Sequence, residues 1–353
     1  MRWVIATALG FLAFCVGCNH WEVEERPEYF AEKTGFAWET IHDATRDKWL
    51  DVAIWYPVQE SQEATEPQSL WHRTKEARNA PLRQANHPYP LIVLSHGYLA
   101  APESLSWLAE ALVNCGFVVA AIQHHDLHKK RFTHIDHWHR PLDVSRLITF
   151  MTEESSFASH IDAQRIGMVG HSMGGLTALW IAGARASLEE VSDLVPSADQ
   201  ADHAQFSAMS EQLLGYTRLA QWKEDYSDSR VSAFVVMAPA FIWIFPPEQL
   251  SQIHKPLLIF AGQADYVINS YYNARVLGQT VPGANLRLFP PPAGHFFFLS
   301  YATDKGAKLM DPLGVLPFLQ LDPWGLNRVE LQKTMAPEIC QFFHRNLDRG
   351  VKD

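Results

Sequence analysis

The chain has 353 residues, of which 47% are hydrophobic, 12% aromatic and 19% charged. That mixture supports a large buried core and excludes a disordered or collagen-like chain. Acidic residues outnumber basic ones 39 to 29, a formal net charge of −10. No Lys/Arg-rich run offsets that balance, so a phosphate-backbone partner, and with it nucleic acid, is not expected.

After Met1-Arg2, a mostly apolar run from Trp3 to Val16 ends at Gly17-Cys18. A charged start, a short apolar stretch and a small residue before the break describe a secretory signal. The stretch is also shorter than the ~20 residues of a spanning helix. Residues 1–17 therefore read as a signal peptide. Val16-Gly17-Cys18 resembles a bacterial lipobox, with Cys15 where that pattern usually has Leu. The resemblance implies Cys18 as a lipidated mature N-terminus and a membrane anchor, with cleavage without lipid as the alternative. Export is expected on either reading. Residues 18–34 are polar and charged, suited to a tether.

The remainder, 35–353, reads as one domain. Phe36–His42 and Trp49–Tyr56 are candidate strands around the turn-forming residues 43–47, and they suit an antiparallel edge. Gln59–His87 has no apolar period and reads as a surface loop. Then strands and helices alternate: strand Leu91–Leu94; a helix carrying Leu105, Leu108, Leu112 and Cys115; strand Phe117–Ile122; a helix from near Asp143 through Met151. Strand Arg165–Val169, helix Met173–Arg185, strands Val231–Met237, Pro256–Phe260 and Leu286–Phe289, and a helix from about Asn327 to Leu347 follow. Continuous apolar strands alternating with helices imply an α/β fold with a mostly parallel sheet covered on both faces. Ala186–Ser229 breaks the alternation with nine acidic residues against two basic. It reads as a helical insertion above the sheet, a lid or a solvated decoration.

Gly170-His171-Ser172-Met173-Gly174 lies between a strand and a helix. A tight strand-to-helix turn leaves no room for side chains two residues either side of the serine, whose hydroxyl is exposed at the helix N-terminus. Such a serine needs a base oriented by a carboxylate. Asp265 and His295 each follow a strand at its C-terminal end, in the chain order expected with this elbow. Ser172, His295 and Asp265 are therefore the candidate triad, with Asp225, Asp228 and Asp193 as less direct acids. The backbone N–H groups of Met173 and Tyr98 are the candidate oxyanion donors, the latter from the loop Ser95-His96-Gly97-Tyr98. His96 reads as a support for that loop rather than a base.

Taken together, Trp55-Tyr56-Pro57, Leu94 to Tyr98, Gly116 to Val119, Arg140-Pro141-Leu142-Asp143, the elbow, Ala261 to Asp265 and Ala293 to Phe296 resemble an α/β-hydrolase. The similarity is to the bacterial group often called predicted dienelactone hydrolases, related to platelet-activating-factor acetylhydrolases. It implies a carboxylic ester hydrolase with Ser172 as nucleophile, His295 as base and Asp265 as its partner, needing no cofactor or metal. Dienelactone hydrolases proper use cysteine, so lactone activity does not carry over. The acetylhydrolases' acid lies on the preceding strand, where Met237-Ala238-Pro239 offers no carboxylate. The pair Tyr98 and Met173 also resembles that of bacterial cutinases and polyester hydrolases.

The apolar runs Phe241–Phe245 and Phe296–Phe298 would fall near Ser172, making Phe241, Trp243 and Phe296 candidate pocket residues for a small-molecule or lipid ester. No arginine near the motifs is an obvious partner for a substrate carboxylate, with Arg140, at the start of a helix, as the one exception to weigh. Six histidines lie within residues 124–139, at spacings open to a metal, but they read as a polar loop. Cys115 and Cys340 read as two buried free thiols, with a disulfide as the alternative. A non-catalytic binding protein on the same scaffold, or an amidase or acyltransferase with the same triad, are the competing functions.

Overall fold

The computed structural model describes residues 21–22, 33–125, 137–187 and 219–348. Most of its strands form one nine-stranded sheet. In chain order these are β2 (Lys33–Asp43), β3 (Lys48–Tyr56), β4 (Lys75–Arg78), β5 (Tyr89–Ser95), β6 (Val118–Ile122), β7 (Ile161–His171), β8 (Val231–Met237), β9 (Leu257–Gly262) and β10 (Asn285–Phe289). Across the sheet the order is β10-β9-β8-β7-β5-β6-β3-β2-β4. Strands β5 to β10 are mutually parallel, as continuous apolar runs require. The hairpin β2–β3 joins β6 antiparallel, but it is not the edge. Within the stretch expected to be loop, β4 pairs parallel with β2 and takes that place.

Side chains alternate across the sheet and divide the core in two. Leu91 and Val93 of β5 pack with Val144 and Leu147 of α2 (His139–Thr149) and with Leu176 and Leu179 of α3 (Met173–Ala182). Ile92 and Leu94 face the opposite side, with Leu108 and Leu112 of α1 (Ser106–Asn114) and Ile339 and Phe343 of α5 (Arg328–Leu347). Asn327 caps α5 by accepting the Glu330 amide at 2.9 Å, the usual role of Asn at that position. Helix α2 begins four residues before Asp143. Helix α3 stops at Ala182 because Gly183 takes a left-handed conformation, φ 107°.

Cys115, at the C-terminal end of α1, and Cys340 of α5 are joined by a disulfide with Cα atoms 6.1 Å apart. The free-thiol expectation is corrected here. Spacing along the chain carries no distance between two helices, and their packing on one sheet face brings the sulfurs together.

Between His295 and α5 the chain builds a second layer over residues 69–73, through α4 (Asp304–Met310) and β11 (Asp322–Pro323). Thr303 N donates to Leu70 O at 2.9 Å and His72 N to Tyr301 O at 2.8 Å. Buried Asp322 accepts from Arg328 Nε at 2.5 Å, Tyr301 Oη at 2.6 Å and Arg328 N at 2.7 Å. Within the segment read as a tether, β1 (Trp21–Glu22) pairs antiparallel with β11. The segment expected to be a signal, Cys18 and most of the expected insertion, residues 188–218, lie outside the described residues. The returning stem of the insertion packs down at Trp222, whose ring lies 5.4 Å from Trp180 of α3.

Candidate active site

The β7–α3 junction has the geometry its glycines imply. Ser172 sits at φ 55°, ψ −115°, a strained region that costs about 1–3 kcal/mol and persists only where its surroundings enforce it. The enforcement is visible in its backbone. Its N–H donates to Met237 O at 2.9 Å, and its carbonyl accepts from Gly175, Leu176 and Ala240 amides at 2.8, 3.3 and 3.1 Å. A Cβ on Gly170 would collide with the Gly174 carbonyl, and one on Gly174 with the Ser95 carbonyl. Met173 is the first residue of α3, so its amide belongs to the unsatisfied N-terminal turn of a helix.

His295 Nδ1 lies 2.8 Å from Asp265 Oδ2, both side chains buried. The other Asp265 oxygen accepts the Val267 and Ile268 amides at 3.0 and 2.7 Å. Asp265 is thus both a turn former and the histidine's partner. The alternative acids are engaged elsewhere: Asp225 pairs with Arg185 at 2.6 Å and Asp228 with Arg230 at 2.7 Å, while Asp193 lies outside the described residues.

His171 ties the elbow to the histidine loop. Its Nε2 lies 3.2 Å from the His295 carbonyl and the two rings are 5.0 Å apart. Burial, and then the neighbouring His295, push its pKa well below the usual imidazole value, so its ring is neutral. Sequence reading passed over this residue. Its place beside the serine in the elbow was the available signal.

The third wall is the loop after β5. A Cβ built on Gly97 would sit 3.2 Å from His171 Nδ1 and 3.4 Å from Ser172 Cβ, so this backbone runs directly beside the serine. His96 is a loop support, as expected. Its Nε2 accepts the His124 amide at 3.0 Å, which leaves Nδ1–H to donate to Gly97 O at 2.6 Å. Arg140 of α2 is buried and donates to His96 O at 2.8 Å and Gly97 O at 3.1 Å. The Tyr98 ring packs edge-on against His137 at 5.8 Å.

Below the loop, His124 links Ser95 Oγ, 2.9 Å from Nε2, to Asp143 Oδ2, 3.1 Å from Nδ1. Burial pushes the Asp143 carboxyl up, but the His124 hydrogen bond and the Lys48 and Arg46 charges outweigh it and hold it well below the carboxylate range. Among the described residues no group of three potential metal ligands converges. His128 and His134 lie outside them.

Phe241 and Trp243 are both buried, and Ala240, next in the chain to Phe241, binds the Ser172 carbonyl. Phe296 is half-buried and stacks on Phe318 with centroids 3.7 Å apart. It lines an open cleft together with His295, Tyr266, Phe318 and Leu326. Phe241 thus lies next to the elbow and Phe296 next to the histidine, while Trp243 packs edge-on against Phe241 with centroids 5.9 Å apart.

The family described as "PETase: PET hydrolase-like" matches residues 83–212, a span holding the Gly97 loop and the elbow but ending before Asp265 and His295. Cutinase est1 of Thermobifida alba is 33% identical over 111 residues, 31% of this chain and 36% of that protein. A bis(hydroxyethyl) terephthalate hydrolase of Streptomyces coelicolor is 31% identical over 116 residues, 33% of this chain and 36% of that protein. The chain therefore spans little more than a third of the length of these curated relatives. The solved ferulic acid esterase of Streptomyces cinnamoneus superposes with a TM-score of 0.59 at 20% identity, over 92% of both chains. At that identity the likeness is one of fold.

Proposed function

We propose that this chain, an α/β-hydrolase by fold, is a serine carboxylic ester hydrolase. The observation that carries the reading is the 2.8 Å contact between His295 Nδ1 and Asp265 Oδ2, in a histidine loop held through His171 to the strained elbow of Ser172. In this reading Ser172 Oγ attacks the ester carbonyl and His295 takes its proton. Asp265 keeps the imidazole in the tautomer whose Nε2 is the base. The Tyr98 and Met173 amides receive the oxyanion, and His295 returns the proton to the departing alcohol. Water activated by the same histidine then releases the acyl group from Ser172.

The test is labelling by a fluorophosphonate, with turnover measured in parallel. Wild type should label and Ser172→Ala should not. His295→Ala should lose several orders of magnitude in turnover while remaining folded. Asp265→Asn should cost about 10⁴-fold by favouring the wrong tautomer. Activity that survives Asp265→Asn but falls with Asp225 or Asp228 would move the acid elsewhere, and a folded wild type that never labels would leave a binding protein.

Neutral short- to medium-chain esters are the proposed substrates. Phe241, Trp243 and Phe296 supply apolar surface, and Arg140 supports this reading because its guanidinium is turned onto two backbone carbonyls rather than offered to a substrate carboxylate. Each buried methylene would add ~0.8 kcal/mol until the site is filled. Nitrophenyl esters of increasing acyl length should therefore improve, then level off, and all should exceed an acidic dienelactone. A flat profile would remove the apolar runs from the acyl site.

Export with Cys18 as a lipid-modified N-terminus belongs to the same proposal. The Cys115–Cys340 disulfide supports the exported part, since such bonds persist in oxidising compartments.

A further inference from the structure

We propose that Arg140 and His96 are positioning residues, a clamp that aims and polarises the Gly97–Tyr98 peptide as an oxyanion donor. The inference rests on the reading of Ser172 as nucleophile and deepens it. Gly97 O accepts from Arg140 Nη2 at 3.1 Å, from His96 Nδ1 at 2.6 Å and, across the turn, from the Ala100 amide at 3.3 Å, while Arg140 Nη1 holds the preceding carbonyl, His96 O, at 2.8 Å. Two successive peptide planes are thereby fixed by one rigid planar group, a task a lysine ammonium performs poorly.

The direction of the grip matters. In a trans peptide the C=O and N–H point opposite ways. With Gly97 O turned onto the guanidinium, the Tyr98 N–H points away from it. The Gly97 backbone lies against Ser172, so the clamp sets the angle at which that N–H meets an oxyanion. The guanidinium also acts through the bond it makes. A charge-assisted hydrogen bond on the carbonyl draws electron density from the amide nitrogen, and chained hydrogen bonds reinforce one another in a water-poor interior. Arg140 and His96 are 2% and 1% exposed, so bulk water does not screen this effect. The arginine stands on α2, whose Val144, Leu147 and Ile148 are fully buried in the core shared with α3. The donor is thus referenced to the same framework as the nucleophile.

Removing one oxyanion donor outright costs about 10²–10³-fold, and a donor left in place but unaimed should cost less. The experiment uses the full chain as Arg140→Met, Arg140→Lys and His96→Phe, with rates normalised to sites titrated to completion by a fluorophosphonate. Three quantities are read: kcat/KM for a nitrophenyl butyrate, affinity for an alkyl trifluoromethyl ketone that forms a hemiketal with the serine, and affinity for the matching unreactive ether. Arg140→Met should lose about 30–100-fold in the first two and less than about threefold in the third. The hemiketal hydroxyl pKa, followed by NMR, should rise by the same factor, about 1.5–2 on the pKa scale. Arg140→Lys and His96→Phe should fall between, near tenfold, and they carry the same comparison if Arg140→Met does not fold. Equal losses for ketone and ether, or an unmoved hemiketal pKa, would reduce the clamp to a loop support and overturn the proposal. Failure of the underlying reading looks different: wild type would form no hemiketal, or Ser172→Ala would still turn over.

Discussion

Glu110 of α1 is fully buried, with one carboxyl oxygen accepting the Thr74 amide at 3.0 Å and the other without a hydrogen-bond partner among the described residues. Burial pushes its pKa up to about 8, against the pull of Arg73. The folded state therefore holds a proton that the unfolded chain releases near 4.5. The resulting stability is complete below the unfolded value and is lost as pH rises through about 8. Glu110→Gln should flatten that fall and gain on the order of 1–3 kcal/mol at pH 9, the scale of one unsatisfied buried polar group. Thermal unfolding at pH 5, 7 and 9 checks it, and an unchanged slope would clear Glu110 of the effect. Ser172, Asp265 and His295 were legible as candidates at this scale because each lies in a local strand-to-loop pattern. Arg140 was legible only as a cation near the motifs. Its contact with Gly97 joins residues 43 apart in sequence, and only the sheet order brings α2 under that loop.

At the scale of elements, apolar runs revealed β5, β6, β8 and β9 because all of their residues but Ser232 are buried. β4 escaped because its residues, Lys75-Glu76-Ala77-Arg78, are mostly charged. Glu76 is buried there by ion pairs with Arg73 and Arg78 rather than by apolar packing. β11 escaped for the same reason, its Asp322 being buried on Arg328. The disulfide between α1 and α5 closes a separation of 225 residues, long enough that its loss should cost about 3–5 kcal/mol. Cys115→Ser/Cys340→Ser, or reduction of wild type, should lower the thermal midpoint accordingly. A midpoint indifferent to reductant would mean that the packing of α1 on α5 holds by itself.

For the whole molecule, the proposed export has a direct readout. Intact mass of the membrane fraction should show loss of residues 1–17 and added acyl mass on Cys18, whereas a soluble, unmodified form would remove the anchor and leave export standing. Once the disulfide has formed, the chain is also no longer a simple line. Its sulfur bridge encloses Ser172, Asp265, His295 and residues 188–218 within one covalent ring. A protease cutting inside 188–218 would therefore produce two polypeptides that remain a single molecule until reductant is added. One piece would carry Cys115 and Ser172, the other Asp265, His295 and Cys340. The bond that ties α1 to α5 would then staple the fragment bearing the proposed nucleophile to the fragment bearing its proposed base. A nicked chain should keep the proposed activity in oxidising surroundings and come apart in reducing ones.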